Sequence, residues 1–293
     1  MAEVRKTTPE ISKRVFQYQL EHEQYLKINP LFRECFIWHD IKNAFADIFS
    51  IGFYNEKLHS SYTQLKRDWL EKPDNLKVTM SVLRNLSNIA KVARNTISNC
   101  DEKEKDSPLE YLSPSDFPKY LAQVELTPIL ARSALFLNHP NEAFFRHLME
   151  TKTDLRKIMM AAGIASENLI VKDDASLEMN GAQTVIIFNL LHNAEKERYK
   201  YSHTDAGKTT PVGVFVSVDM NGISVINPAC NLFTPVLNPE RIFPVPVDSD
   251  GIQHCGLAIS QIYARTIGST LGITSQTKNG FNQITTRIGK PSE

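Results

Sequence analysis

The sequence has no uninterrupted apolar run near the roughly 18–20 residues that span a bilayer, so no membrane-spanning helix is expected. No apolar core follows the basic residues of MAEVRKTTPEISKR, which does not read as a signal peptide. Neither sign of charge prevails, since 33 Lys and Arg balance 33 Asp and Glu. A dedicated nucleic-acid binder needs a basic surplus, so none is expected as a partner. Disorder needs low hydrophobicity with high net charge, whereas 42% of these residues are hydrophobic. No CxxC pair occurs. Cys35, Cys100, Cys230 and Cys255 lie far apart, which fits reduced thiols of a cytoplasmic protein better than a disulfide frame or a zinc site. Internal repeats and low-complexity tracts are absent too.

The length of 293 residues suggests about two domains. Residues 1–30 read as a helical extension, with the polar stretch 10–28 as a leading helix. From Leu31 to about Leu70 no proline interrupts a helical pattern of apolar residues: Leu31, Cys35, Trp38, Ile41, Phe45, Ile48. The stripe is wide enough to suggest burial against several helices. Pro73 ends it, and a second helix over about 74–99 presents Leu76, Met80, Leu83, Ala90 and Ile97. Two long helices joined by a polar turn predict a helical hairpin over 31–105. The charged run 101–108 reads as a linker to a second domain, 106–293.

In that second domain the apolar run Val124–Leu137 fits strand or helix. Residues 153–162 read as helix, 167–171 as strand and 177–200 as a strong helix. GVFVSVDMNGISVIN alternates around Asn221-Gly222, the signal of a type I′ hairpin with positive φ at both positions. Five prolines over 228–252 read as an irregular loop. A helix at about 256–267 and a hairpin over 271–288, turning at Asn279-Gly280, follow. The mixture predicts an α+β fold.

Three segments carry residues suited to phosphoryl chemistry. In FIWHDIKNAFADIF, His39 has Asp40 beside it and Asn43 one turn later on the same face. A neutral imidazole can accept a phosphoryl group, a carboxylate can orient the ring or take its proton, and an amide can position water. A surface histidine on a helix fits the same local sequence. In VIIFNLLHNAEKER, Asn189, Asn193 and Lys196 share a helical face. Amide oxygens can ligate Mg²⁺ and lysine can pair with phosphate, although solvated side chains on a packed helix read the same way. In QHCGLAIS, Gly256 opens a helix whose free N–H groups could face phosphate; a tight turn also explains it.

Together, a helical hairpin with HDIKN, then NLLHNA, then a β-hairpin, a lid preceded by ERIF (240–243), and HCGLAIS with its following helix and hairpin resemble the sensor histidine kinases. Their catalytic domain belongs to the gyrase, heat-shock chaperone, histidine kinase and MutL ATPase superfamily. The resemblance covers roughly residues 31–290. It implies a hairpin that dimerises into a four-helix bundle, making a homodimer, followed by an α/β sandwich of the histidine-kinase ATPase (Bergerat) type. It implies His39 as phospho-acceptor, Asp40 as its acidic partner in transfer and Asn43 at the phosphatase position. Asn189 and Asn193 would hold Mg²⁺, Lys196 would contact the phosphates of ATP, and Gly256 with the Leu257 backbone would flank them. The implied partner is a response-regulator receiver domain, whose aspartate takes the phosphoryl group from His39.

The sequence departs from the family at the first glycine box. Asn227 stands where the adenine-binding Asp is expected, Pro228 and Ala229 follow it, and the glycines are missing. His254 replaces the first glycine of the second box. An Asn oxygen can still accept from an adenine amino group, without the strength of a charge-assisted bond. Residues 1–30 are too few for a folded sensor domain, so either a separate sensor protein supplies the signal or the protein is not a primary sensor. Three readings follow: a cytoplasmic histidine kinase of a two-component system; a histidine phosphotransferase in a phosphorelay, with a degenerate C-terminal domain that does not bind ATP; and a non-catalytic regulator.

Overall fold

The computed structural model describes residues 13–16, 19, 64, 67, 76–99, 114–230, 256–278 and 281–289. Residues 13–16 and 19, and Gln64 and Arg67 of the expected first hairpin helix, are helical. The rest of that helix, the linker at 101–108, the lid with ERIF and the turn at Asn279-Gly280 lie outside the described residues. Among the described residues no helix is long and apolar enough to cross a membrane.

Helix α1 (Leu76–Asn99) buries Ala90 and Ile97 against α2 (Phe117–Asn138). Met80, expected on the same face, is 39% exposed. Ten residues at 3.6 per turn leave it about 80° away from Ala90, off the covered stripe. The side chain of Arg94 meets Glu125 on α2 at 3.6 Å.

The run that fitted strand or helix is helical throughout α2. It is apolar on several sides because several helices cover it: α1, then α3 (Glu142–Glu150), α4 (Leu155–Ala161) and α5 (Gly181–Ser202). Leu126, Leu130 and Phe136 are fully enclosed, while Pro128 sits on the exposed side. Helix α3 begins where Asn141 Oδ1 accepts the Phe144 N–H at 3.0 Å.

Two expected helix boundaries move inward, and one cause accounts for both. Strand β1 (Lys152–Asp154) pairs antiparallel with β3 (Glu178–Asn180), so these residues are extended rather than helical. Helix α4 then starts at Leu155, with Asp154 Oδ1 accepting from the Arg156 N–H at 2.7 Å. Helix α5 starts at Gly181 behind a capping box: the Gln183 N–H donates to Asn180 Oδ1 at 2.9 Å, and the Asn180 N–H donates to Gln183 Oε1 at 3.0 Å. A Cβ at Gly181 would lie 2.7 Å from the Leu148 carbonyl oxygen, so the residue that opens α5 must be small.

The main sheet runs β2 (Leu169–Val171), β4 (Phe215–Asp219), β5 (Gly222–Ala229), β7 (Phe281–Gly289), β6 (Leu271–Lys278). Strand β2 is parallel to β4 and every other pairing is antiparallel. A short helix, α6 (Asp205–Thr209), links α5 to β4. Val216, Val218, Ile223, Val225 and Ile288 join the core under α5 and α7 (Gly256–Thr266), which pack on each other. The architecture is α+β, with helices layered on one face of a mixed sheet.

The β4–β5 hairpin corrects one expectation. Asp219 pairs with Gly222, so the loop residues are Met220 and Asn221, and neither adopts positive φ. The turn is therefore not type I′. Asp219 Oδ1 accepts the Asn221 N–H at 2.8 Å and supplies the turn that positive φ would otherwise make. Gly222 carries the unusual conformation instead, at φ +144°.

Pro228, expected in a loop, lies within β5 opposite Gln283. Pairing with β4 ends at Ile226, so Pro228 has a strand on one side only, where a missing N–H is tolerated.

Candidate functional site

Helix α5 positions the second sequence constellation. Its first half is sealed in the core: Val185, Ile186, Ile187 and Leu191 are fully buried and Leu190 nearly so. That packing fixes the direction of the face bearing Asn189, Asn193 and Lys196. Asn189 is buried, Asn193 half-buried and Lys196 exposed, so the face runs from core to solvent in two turns. His192 is exposed and its ring stacks with Phe188, centroids 6.2 Å apart. Further along, Arg198 is held by two hydrogen bonds to Glu195, at 2.7 and 2.5 Å.

Strand β5 packs on α5 and carries Asn227, which is buried. Asn227 shares its strand face with Ile223 and Val225, which belong to the core. Its Nδ2 donates to the Pro228 carbonyl oxygen at 2.9 Å. Oδ1 therefore points the other way, as an acceptor. Helix α7 also packs on α5 and begins at Gly256, which is buried and whose carbonyl accepts from Ser260 Oγ at 2.8 Å. Leu257 is half-buried against the core.

The tertiary structure thus brings together around α5 the elements bearing Asn189, Asn193, Lys196, Asn227, Gly256 and Leu257. His39, Asp40 and Asn43 lie outside the described residues. Among the described residues no group of three His, Cys, Asp or Glu side chains could hold a metal. The donors that this face of α5 offers are the carboxamide oxygens of Asn189 and Asn193, a type that Mg²⁺ accepts alongside phosphates and water.

Two polar clusters had no sequence signal. Arg287 on β7 binds Asp219 on β4 and Ser224 on β5. This pair holds the Asp219 carboxyl below its usual range, mainly through the Arg287 hydrogen bond and then the Asn221 N–H. On α2 and α3, Arg132 Nη1 meets His147 Nε2, and Thr151 Oγ1 donates to the His147 carbonyl at 2.8 Å. Burial, then the Arg132 charge, pushes His147 below its ordinary value. The partners are 68 and 15 residues apart, and neither spacing marks a motif.

No family model matches the chain, and no curated protein matches it in sequence.

Proposed function

We propose that the protein is a histidine kinase of the two-component type, which uses Mg-ATP to phosphorylate His39 and passes the phosphoryl group to a receiver-domain aspartate. The observation that supports this reading is the packing of β5 and α7 on α5. It gathers the three nucleotide-site segments of the resemblance around one helix.

Mg²⁺, carried by Asn189 and Asn193 with the phosphates, would supply charge neutralisation on the transferring group. Lys196, exposed at the solvent end of the same face, would pair with phosphate oxygens. Asn227 Oδ1 would accept from the adenine amino group, its Nδ2 being held by Pro228. At His39 the bond from the γ-phosphorus to the bridging oxygen breaks as a phosphorus–nitrogen bond forms. The ring's other N–H proton is held by Asp40, and ADP leaves with the bridging oxygen. Catalysis would come from positioning and electrostatics.

One feature favours the second reading, a histidine phosphotransferase with a degenerate C-terminal domain. Asn227-Pro228-Ala229 continues as β5, paired with β7, where the family has a glycine-bearing turn. Incubation with Mg-[γ-³²P]ATP separates the two. Acid-labile, alkali-stable label that is absent from His39→Gln supports the kinase. No label, but acceptance of phosphate from a phosphorylated receiver, supports the phosphotransferase. Label retained in His39→Gln overturns His39 as acceptor.

A further inference from the structure

The two edges of the main sheet, as the described strands form it, differ in character. At one edge β6 exposes Thr274, Gln276, Thr277 and Lys278, and polar side chains with a lysine discourage a further strand. At the other edge β2 exposes Ile170 at 45% and Val171 at 41%. Neither charge nor proline interrupts Leu169–Val171. Side chains alternate along a strand, so both faces of β2 are open. Ile170 lies opposite Ser217 on the face away from the helices, and Val171 lies opposite Val218, on the helix side.

The backbone of β2 is open along the same side. The Lys172 N–H donates to the Val218 carbonyl oxygen at 2.7 Å, so residues 170 and 172 turn their main-chain groups towards β4. Val171, between them, turns its N–H and C=O the other way, where no described strand pairs. Phe215, 37% exposed, shares the outer face with Ile170, and half-buried Ile226 of β5 lies opposite Phe215. An apolar strip thus crosses three strands and ends at the open edge. Strand formation does not require it, because Thr at 170 and 171 would keep a strand-favouring shape and leave less apolar surface in water.

We propose that β2 is an acceptor edge for an extended segment of a protein partner, which adds as a further strand and carries apolar residues flanked by Lys or Arg. This does not depend on the kinase reading. In strand addition, main-chain hydrogen bonds give affinity and the alternate side chains give specificity. Here Val171 offers the main-chain donor and acceptor, and Ile170, Phe215 and Ile226 seat an apolar side chain on the outer face. Charge complementarity sets the sign of the flanks. Glu167 before the strand and Asp173 and Asp174 after it are exposed, against the single cation Lys172. A second copy of β2 would bring the same excess of carboxylates face to face, which favours a different chain as the occupant.

The test uses the full chain and three fluorescent peptides. The first is an extended peptide rich in Val and Thr and flanked by lysines. The second has the same side chains with its central main-chain nitrogens methylated, which removes the donors. The third carries glutamates in place of the lysines. The first should bind more tightly than the other two and slow hydrogen exchange at the Val171 amide. Ile170→Thr should weaken binding several-fold. Val171→Pro removes an N–H that β4 does not use and should abolish binding, with the fold of both variants checked by thermal melts. If Val171→Pro does not fold, Ile170→Thr and the methylated peptide decide. The proposal is overturned if the lysine-flanked peptide fails to bind or leaves exchange at Val171 unchanged, if the methylated peptide binds as tightly, if the glutamate-flanked peptide binds best, or if the folded variants bind like the parent. Self-association of the free protein that Val171→Pro abolishes would assign the edge to a second copy and overturn it as well.

Discussion

Arg287 on β7 reaches across β5 to hold Asp219 at the end of β4, with Nη2 at 2.8 Å from Oδ1 and 3.1 Å from Oδ2. Nη1 donates to Ser224 Oγ, on the strand between them, at 3.0 Å. One guanidinium thus ties three strands at the hairpin whose turn Asp219 also closes. The folded-state carboxyl is held below 3.8, so the folded state binds fewer protons than the unfolded chain as pH falls. The stabilisation is present above that value and is lost as pH falls through the folded-state one. Asp219→Asn should therefore melt lower than the parent at neutral pH and converge with it in strong acid. Melting curves across the acid range would show this, and parallel curves would refute it.

His147 predicts a dependence at milder pH. Its folded-state value lies below 6.5, so protonation there favours the unfolded chain. Stability from this group is present above pH 6.5 and falls as pH drops below it. His147→Gln, which keeps an acceptor for Arg132, should flatten the decline in thermal midpoint between neutral and mildly acid pH. A decline as steep as the parent's would assign it to other groups.

Gly222 cannot be replaced. At φ +144° a Cβ would lie 2.1 Å from the backbone oxygen of Ile288. Gly222→Ala should cost more than about 1 kcal/mol, because the conformation and the space are both incompatible. Gly272, with nothing within 4 Å of its added Cβ, is the control, and Gly272→Ala should leave the urea midpoint nearly unchanged.

The capping box of α5 gives a smaller, local effect. Asn180→Ala removes the acceptor for the Gln183 N–H and should cost about 1 kcal/mol. Hydrogen exchange should quicken in the first turn of α5 before the sheet.

Lys196→Ala tests the nucleotide reading without disturbing the core, because the side chain is exposed. Loss of one charged phosphate contact, about 1.5–3 kcal/mol, should weaken ATP binding roughly ten-fold or more, with the melting temperature of the free protein unchanged. Unaltered titration calorimetry would remove Lys196 from the site.

Features that depend on local pattern are legible in the residues alone. The alternation of 213–227 specified a hairpin, and the helical spacing of apolar residues placed α1, because side-chain periodicity is a property of neighbours along the chain. The common face of Asn189, Asn193 and Lys196 was legible for the same reason. Features that depend on residues far apart are set by long-range packing and pairing. The extended backbone of 178–180 is set by pairing with β1, and the helicity of Val124–Leu137 by burial among four helices. Pro228 stays in β5 because β4 ends beside it. The turn at Met220-Asn221 rests on Asp219, which Arg287 fixes from 68 residues away. A local segment carries several conformations of nearly equal energy, and long-range burial and hydrogen bonding select among them.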